Sequence, residues 1–357
     1  MDNIFITNKQ IDNIYFVSIS KKNIIFISCF LTRKYQTIME KSLEKRVEYA
    51  LNYNGKGSDY FGIVIVNWLL TVVTLGIYYP WAKAKQLQYI YNSTSLNEDS
   101  FEFHGTGKEM FKGFIKAVLV FMVLYGVLIL FIYLKMPFTA LLLFYGLLIA
   151  VFPIAIHGSY RYRMSRSSWR GIRFGYRGDR KEFTLLFFKW IFFTIITLGI
   201  YGPWMAMNMR NYLLGNVRFG DVEFEYDGDG TDYFALNIKG YFLTIITFGI
   251  YIFWWQKELF EYYVNNLSLN REDGKIRFNS TATGGDFFKL IVVNLLILIF
   301  TLGLGYAWVV TRTLKFVFEH VEAEGNINLD ALTQTEENYK DATGEDLSDF
   351  LNLDTIM

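Results

Sequence analysis

Only one cysteine, Cys29, occurs in 357 residues, with four prolines and three histidines. A single thiol forms no internal disulfide and no cysteine-rich zinc or iron–sulfur site. His104, His157 and His320 lie far apart in the chain, which argues against a histidine metal centre. Charge is scarce too: Asp, Glu, Lys and Arg make up 19%, against about 25% in a soluble domain. The net charge of +1 gives no electrostatic basis for nucleic-acid binding. What the chain has instead is apolar and aromatic residues, 52% hydrophobic and 19% Phe, Tyr and Trp. That composition excludes disorder over most of its length.

Six uncharged runs lie near 61–82, 117–134, 136–156, 190–209, 240–256 and 290–311. Each approaches the ~20 apolar residues needed to cross ~30 Å of hydrocarbon. None shows the charged face of a surface helix. Tyr and Trp gather at the ends of the runs, as at Tyr78 and Trp81, Tyr201 and Trp204, Tyr251 and Trp254, and Tyr306 and Trp308. Such rings favour the headgroup layer, and Lys83, Arg210, Lys257 and Arg312 follow where their stems can snorkel. The pattern predicts an all-α polytopic membrane protein of about six transmembrane helices built from internal repeats, with short extramembrane β-strand segments.

The repeat is legible in four copies of Thr-Leu/Phe-Gly, beginning at Thr74, Thr197, Thr247 and Thr301, each with a tryptophan five residues after the glycine. Gly57, Arg180, Gly230 and Gly284 stand at a constant distance upstream, and Gly107 heads a divergent fifth copy. Two residues after each comes a carboxylate: Asp59, Glu109, Glu182, Asp232 and Asp286. First-turn acids complement a helix dipole; a ring of acids at a pore mouth is the sharper alternative. Period-two segments such as Phe101–Phe103, Ile172–Tyr176, Val222–Tyr226 and Ile276–Phe278 predict brief strands.

Three stretches give the chain a further likeness: Asn67-Trp68-Leu69-Leu70 running on to Trp81 and Lys83, Phe101-Glu-Phe103-His-Gly105-Thr-Gly107-Lys-Glu109, and Trp169-Arg-Gly171-Ile-Arg173-Phe174. In these it resembles the YjgN-like family of bacterial inner-membrane proteins, a family of unknown function. The likeness runs from about Glu40 to Val321. It implies a multi-pass protein of the bacterial inner (cytoplasmic) membrane and supplies no catalytic or ligand residues.

Three regions follow: 1–38, a leader that is disordered or precedes the true start; 39–320, the repeat-containing membrane domain; and 321–357, an acidic polar tail. Six crossings force similar repeats to alternate in orientation, which would put their strands on opposite faces of the membrane. The other possibility is that the Thr-Leu-Gly break turns the chain back, leaving re-entrant segments and every strand on one side. Six crossings are the expectation taken forward.

Asn67 and Asn294 are the candidate intramembrane polar residues, suited to hydrogen bonding between helices or to a polar solute. The densest basic cluster contains Arg161, Arg163, Arg166, Arg170 and Arg173. With Trp169 it reads as a topology anchor or as a contact for anionic lipid headgroups. No nucleophile–base set or metal box emerges, so no enzymatic activity, metal or cofactor is expected. The expected partner is the lipid bilayer, anionic lipids included; oligomeric state is not legible. Two function classes stay open: a transporter or channel for a small solute, and a structural or anionic-lipid-interacting envelope protein.

Overall fold

The segment Val47–Tyr53 is used on both of its edges. In the computed structural model, which describes residues 47–335, its first half (β1, Val47–Tyr49) pairs with Val321–Gly325 (β11). Its second half (β2, Leu51–Tyr53) pairs with Thr94–Leu96 (β3). Between them lie Asp99–Phe103 (β4), Ser167–Trp169 (β5), Ile172–Tyr176 (β6), Val217–Phe219 (β7), Val222–Tyr226 (β8), Leu267–Arg271 (β9) and Gly274–Ser280 (β10). Each is antiparallel to its neighbour, in the order β1-β11-β10-β9-β8-β7-β6-β5-β4-β3-β2. Because the two ends of this order are consecutive pieces of one extended segment, the sheet curls almost into a closed barrel. The seam is Ala50, whose N–H donates to Asn97 Oδ1 at 2.9 Å and whose carbonyl accepts from the Asn97 N–H at 2.8 Å.

Five helical hairpins leave one end of the barrel. They are Gly57–Val73 with Tyr79–Asn92 (α1, α2), Gly107–Tyr133 with Pro137–Ser165 (α3, α4), and Arg180–Ile196 with Gly202–Gly215 (α5, α6). Gly230–Ile246 with Ile252–Asn265 (α7, α8) and Gly284–Phe300 with Tyr306–Glu319 (α9, α10) complete the set. The upstream carboxylates all fall in first helical turns. Glu109 and Asp286 complete capping boxes with Thr106 and Thr283, which satisfies free N–H groups at those termini.

The expectation of a six-span all-helical protein is overturned. Among the described residues only α3 and α4 are long and apolar enough to cross a membrane, and the chain also builds an eleven-strand sheet. The runs near 117–134 and 136–156 belong to those two helices. Those near 61–82, 190–209, 240–256 and 290–311 each contain a reversal. A 17-residue helix such as α1 measures about 25 Å and its 14-residue partner about 21 Å, both short of the hydrocarbon thickness. An apolar run counted along the sequence adds up two antiparallel helices and their turn.

The reversal is the Thr-Leu/Phe-Gly motif itself. Thr74 Oγ1 donates to the Leu70 carbonyl at 2.7 Å and accepts the Tyr78 N–H at 3.0 Å. Gly76 N–H returns to the Thr71 carbonyl at 2.7 Å, the long closing bond of a Schellman cap. Leu75 and Gly76 take φ of 52° and 90°, and the pairs Leu198–Gly199, Phe248–Gly249 and Leu302–Gly303 have nearly the same values. Glycine suits the second position because it carries no Cβ. The first position is left-handed as well, yet it holds a large apolar side chain in all four turns.

The hairpins pack as a ring, each helix against its neighbours and α10 against α1. The tryptophan opening each second helix lies on the glycine opening the next hairpin: Trp81 on Gly107, Trp204 on Gly230, Trp254 on Gly284, and Trp308 on Gly57. The interface between α4 and α5 has neither partner, since Arg180 replaces the glycine and α4 holds no tryptophan. A Cβ on Gly230 would stand 2.3 Å from Trp204 Cδ1 and 2.7 Å from Trp204 Cα, so backbone must move. Gly230→Ala is therefore expected to destabilise by about 1–3 kcal/mol. Gly62→Ala, in open space on α1, should be neutral or stabilising by up to about 1 kcal/mol. Thermal melts of the two variants in detergent check the contrast.

The far end of the barrel carries the β-hairpin turns and is covered by the chain after β11. Tyr49 Oη donates to the Ile327 carbonyl at 2.6 Å, and Arg271 donates to the carbonyls of Asn328 and Ala331 at 3.2 and 3.0 Å. Ile327 and Leu329 join Trp169, Phe219 and Val222 in the barrel core. Of the polar tail expected from residue 321 onward, Val321–Gly325 form β11 and residues 326–335 lie over the turn end of the barrel. The leader 1–38 and the remainder of the tail lie outside the described residues.

Candidate membrane-facing surface and barrel interior

Four side chains stand out by exposure. Leu75, Leu198, Phe248 and Leu302 are 93%, 94%, 97% and 92% exposed, each at the apex of a short hairpin. Val73 and Ile77, Ile196 and Ile200, Ile246 and Ile250, and Phe300 and Leu304 flank them and are exposed as well. Holding a bulky residue left-handed costs roughly 1–2 kcal/mol relative to glycine or asparagine, which accept that conformation. The cap needs no side chain there.

The barrel interior is apolar. Alternate residues of the strands point inward, among them Phe101, Phe174, Phe219, Phe224, Leu269 and Ile276. Phe174 stacks on Phe219 with centroids 4.4 Å apart, and Trp169 meets Phe219 edge-on at 5.8 Å. At the helix end, the last inward residues of β2, β6 and β8 are Tyr53, Tyr176 and Tyr226, buried with hydroxyls that have no hydrogen-bond partner among the described residues. Burial pushes the Tyr53 phenol up to about 12 and raises Tyr176 and Tyr226 as well.

The six residues of the basic–aromatic candidate are dispersed by this fold. Trp169 is fully buried in the barrel core, where its Nε1–H donates to the Asp99 carbonyl at 3.0 Å. It is a core side chain and not an interfacial one. Arg170 covers its ring, 4.4 Å from the centroid, and pairs with both Asp99 and Asp330. The Arg173 backbone N–H donates to Gln334 Oε1 at 2.7 Å. Arg166 forms a 3.0 Å ion pair with Glu109, tying the end of α4 to the start of α3. Arg161 and Arg163 lie on the last turns of α4.

Asn67 and Asn294 are not brought together. Asn67, almost fully buried, donates to the Ala82 carbonyl at 3.3 Å and so joins α1 to α2. Asn294 donates to Thr313 Oγ1 at 3.1 Å and joins α9 to α10. Both act between the helices of their own hairpins. Among the described residues, no group of three or more His, Cys, Asp or Glu side chains is placed to hold a metal ion.

The exposed apexes and the barrel core were missed in the sequence. A sign of the core was available, since two-residue turns at Asn97-Glu98 and Arg170-Gly171, both with positive φ, are hairpin turns between short strands.

Comparison with known proteins agrees on family and is silent on activity. The proteins named inner membrane protein YjgN of Salmonella typhimurium and of Escherichia coli K12 are 40% identical over 129 residues and 33% identical over 131 residues. These stretches cover 36% and 37% of this chain, but only 31% and 32% of the relatives, so the match spans about a third of their length. No solved structure matches. The family described as bacterial protein of unknown function (DUF898) matches residues 48–227, 221–273 and 255–350, and the chain belongs to it.

Proposed function

We propose that this protein is an integral inner-membrane protein that works on bilayer lipid, with its barrel resting at one membrane face. The hairpin α3–α4 crosses the bilayer, and the four shorter hairpins enter one leaflet apex first. The observation that carries this reading is the four apolar apexes, held left-handed and over nine-tenths exposed. Bulky apolar groups in that setting gain their stabilisation from hydrocarbon. Helical hairpins that dip and return satisfy their backbone internally, as hydrocarbon demands. Arg161 and Arg163, at the barrel end of the crossing helix, stand where anionic headgroups would lie. The transporter or channel reading gains no support from the interior. The barrel is lined by aromatic and aliphatic side chains with no polar path, and its far end is covered by residues 326–335.

Single cysteines at positions 75, 198, 248 and 302 on a Cys29→Ser background, labelled with an environment-sensitive fluorophore in vesicles, test this. All four should emit as in hydrocarbon and be quenched by brominated lipid. Lys135→Cys, at the apex of α3–α4, should react with an impermeant maleimide from the face opposite Ser100→Cys. Water-like emission at the four apexes would remove the reading.

A further inference from the structure

We infer that the barrel takes the end of a lipid acyl chain. The strands enclose a void of about 110 Å³ with a wholly apolar lining that includes Tyr49, Phe174, Phe219, Leu269, Ile276 and Ala323. An engineered apolar cavity of about 150 Å³ stays dry and binds benzene, so a void of this size and lining is a site for hydrocarbon and not for water. At about 30 Å³ per carbon, close to the volume of a water molecule, it accepts roughly three or four methylenes.

The direction of entry follows from the topology. The turn end is covered by the chain after β11, fastened by Tyr49 and Arg271 to its backbone. The side wall is sheet, each strand paired to its neighbour apart from the seam at Ala50, which Asn97 bridges. Only the helix end remains, where Tyr53, Tyr176 and Tyr226 lie beneath the ring of hairpins, whose helices pack against their ring neighbours. If those hairpins stand in the bilayer, as proposed above, the helices next to this end of the barrel lie in hydrocarbon. The occupant within reach is then an acyl chain. The inference rests on that placement and adds the ligand class and the pocket to it.

The probe is a phospholipid with a diazirine at the terminal carbon of one acyl chain, in phosphatidylethanolamine–phosphatidylglycerol vesicles holding the full chain. After photolysis, adducts are mapped by peptide mass spectrometry. Adducts are expected at the hairpin apexes and separately on the barrel lining, at Phe174, Phe219, Leu269 or Ile276. Ala323→Phe fills the void, so barrel adducts should fall at least tenfold while apex adducts stay unchanged. Leu269→Ala enlarges it, and barrel adducts should rise at least twofold. Apex adducts without barrel adducts would overturn this inference and leave the membrane placement standing; absence of both would overturn the two together. Barrel adducts that survive Ala323→Phe also overturn it. Should Ala323→Phe fail to fold, as shown by its melt and lost apex labelling, Leu269→Ala decides: a rise supports the pocket and an unchanged level refutes it.

Discussion

Replacing Leu75, Leu198, Phe248 and Leu302 together by asparagine should leave the protein at least as stable in detergent and free the four short hairpins from the bilayer. The two effects have separate origins. Asparagine accepts the left-handed conformation that costs a leucine or phenylalanine roughly 1–2 kcal/mol, so each cap is relieved of strain. Each substitution also removes a side chain whose full burial in hydrocarbon contributes about 1.5–3 kcal/mol. At 1.4 kcal/mol per factor of ten, release of each apex becomes roughly 10- to 100-fold more frequent. Hydrogen exchange at the turn amides reads this directly. On vesicles the wild-type turns at 74–78, 197–201, 247–251 and 301–305 should be protected and the variant's should exchange at least tenfold faster. Equal exchange of the wild-type and variant turns on vesicles would contradict it. The crossing hairpin α3–α4 keeps the variant membrane-bound, so sedimentation alone would not reveal the change.

Trp169→Ala should cost about 3–5 kcal/mol of stability, the range for deleting a large buried aromatic. Trp169 is fully buried, donates a hydrogen bond to the Asp99 carbonyl, packs on Phe219 and is covered by Arg170. Its loss opens the barrel beside the covering chain, where Ile327 and Leu329 meet it. Trp169→Phe retains most of the packing and should cost about 1 kcal/mol, the net value of one hydrogen bond. The melting temperature carries the signal. An interfacial tryptophan would instead show as weaker binding to anionic vesicles with an unchanged melt, and that result would exclude the core role.

The difference between six expected crossings and two long apolar helices has a specific cause. Apolarity along the chain reports the solvent of a segment and says nothing of its direction. The residues of 61–82 or 240–256 are as apolar as a span, but each such run contains a Schellman cap. Its sign is a single glycine preceded by leucine or phenylalanine, where glycine or asparagine is the usual left-handed residue. The period-two segments 101–103, 172–176, 222–226 and 276–278 lie in β4, β6, β8 and β10. The ring they build was not legible, because strands of three to seven residues carry little pattern and closure pairs Val47 with Gly325. For the candidate site, Trp169 and its arginines were conspicuous as residue types. Their partners, Asp99 and Asp330, lie 71 and 160 residues from Arg170 and leave no local trace.

The seam at Ala50 sets the order in which this protein can be completed. The outer edge of β1 waits for β11, whose residues follow their partners by 274 to 278 positions, from Tyr49 with Ala323 to Val47 with Gly325. Until that strand leaves the ribosome, β1 and β10 both present open edges, and an open edge accepts any strand on offer. Two chains synthesised side by side could each donate β11 to the other, so a swapped dimer is the natural misassembly of this architecture.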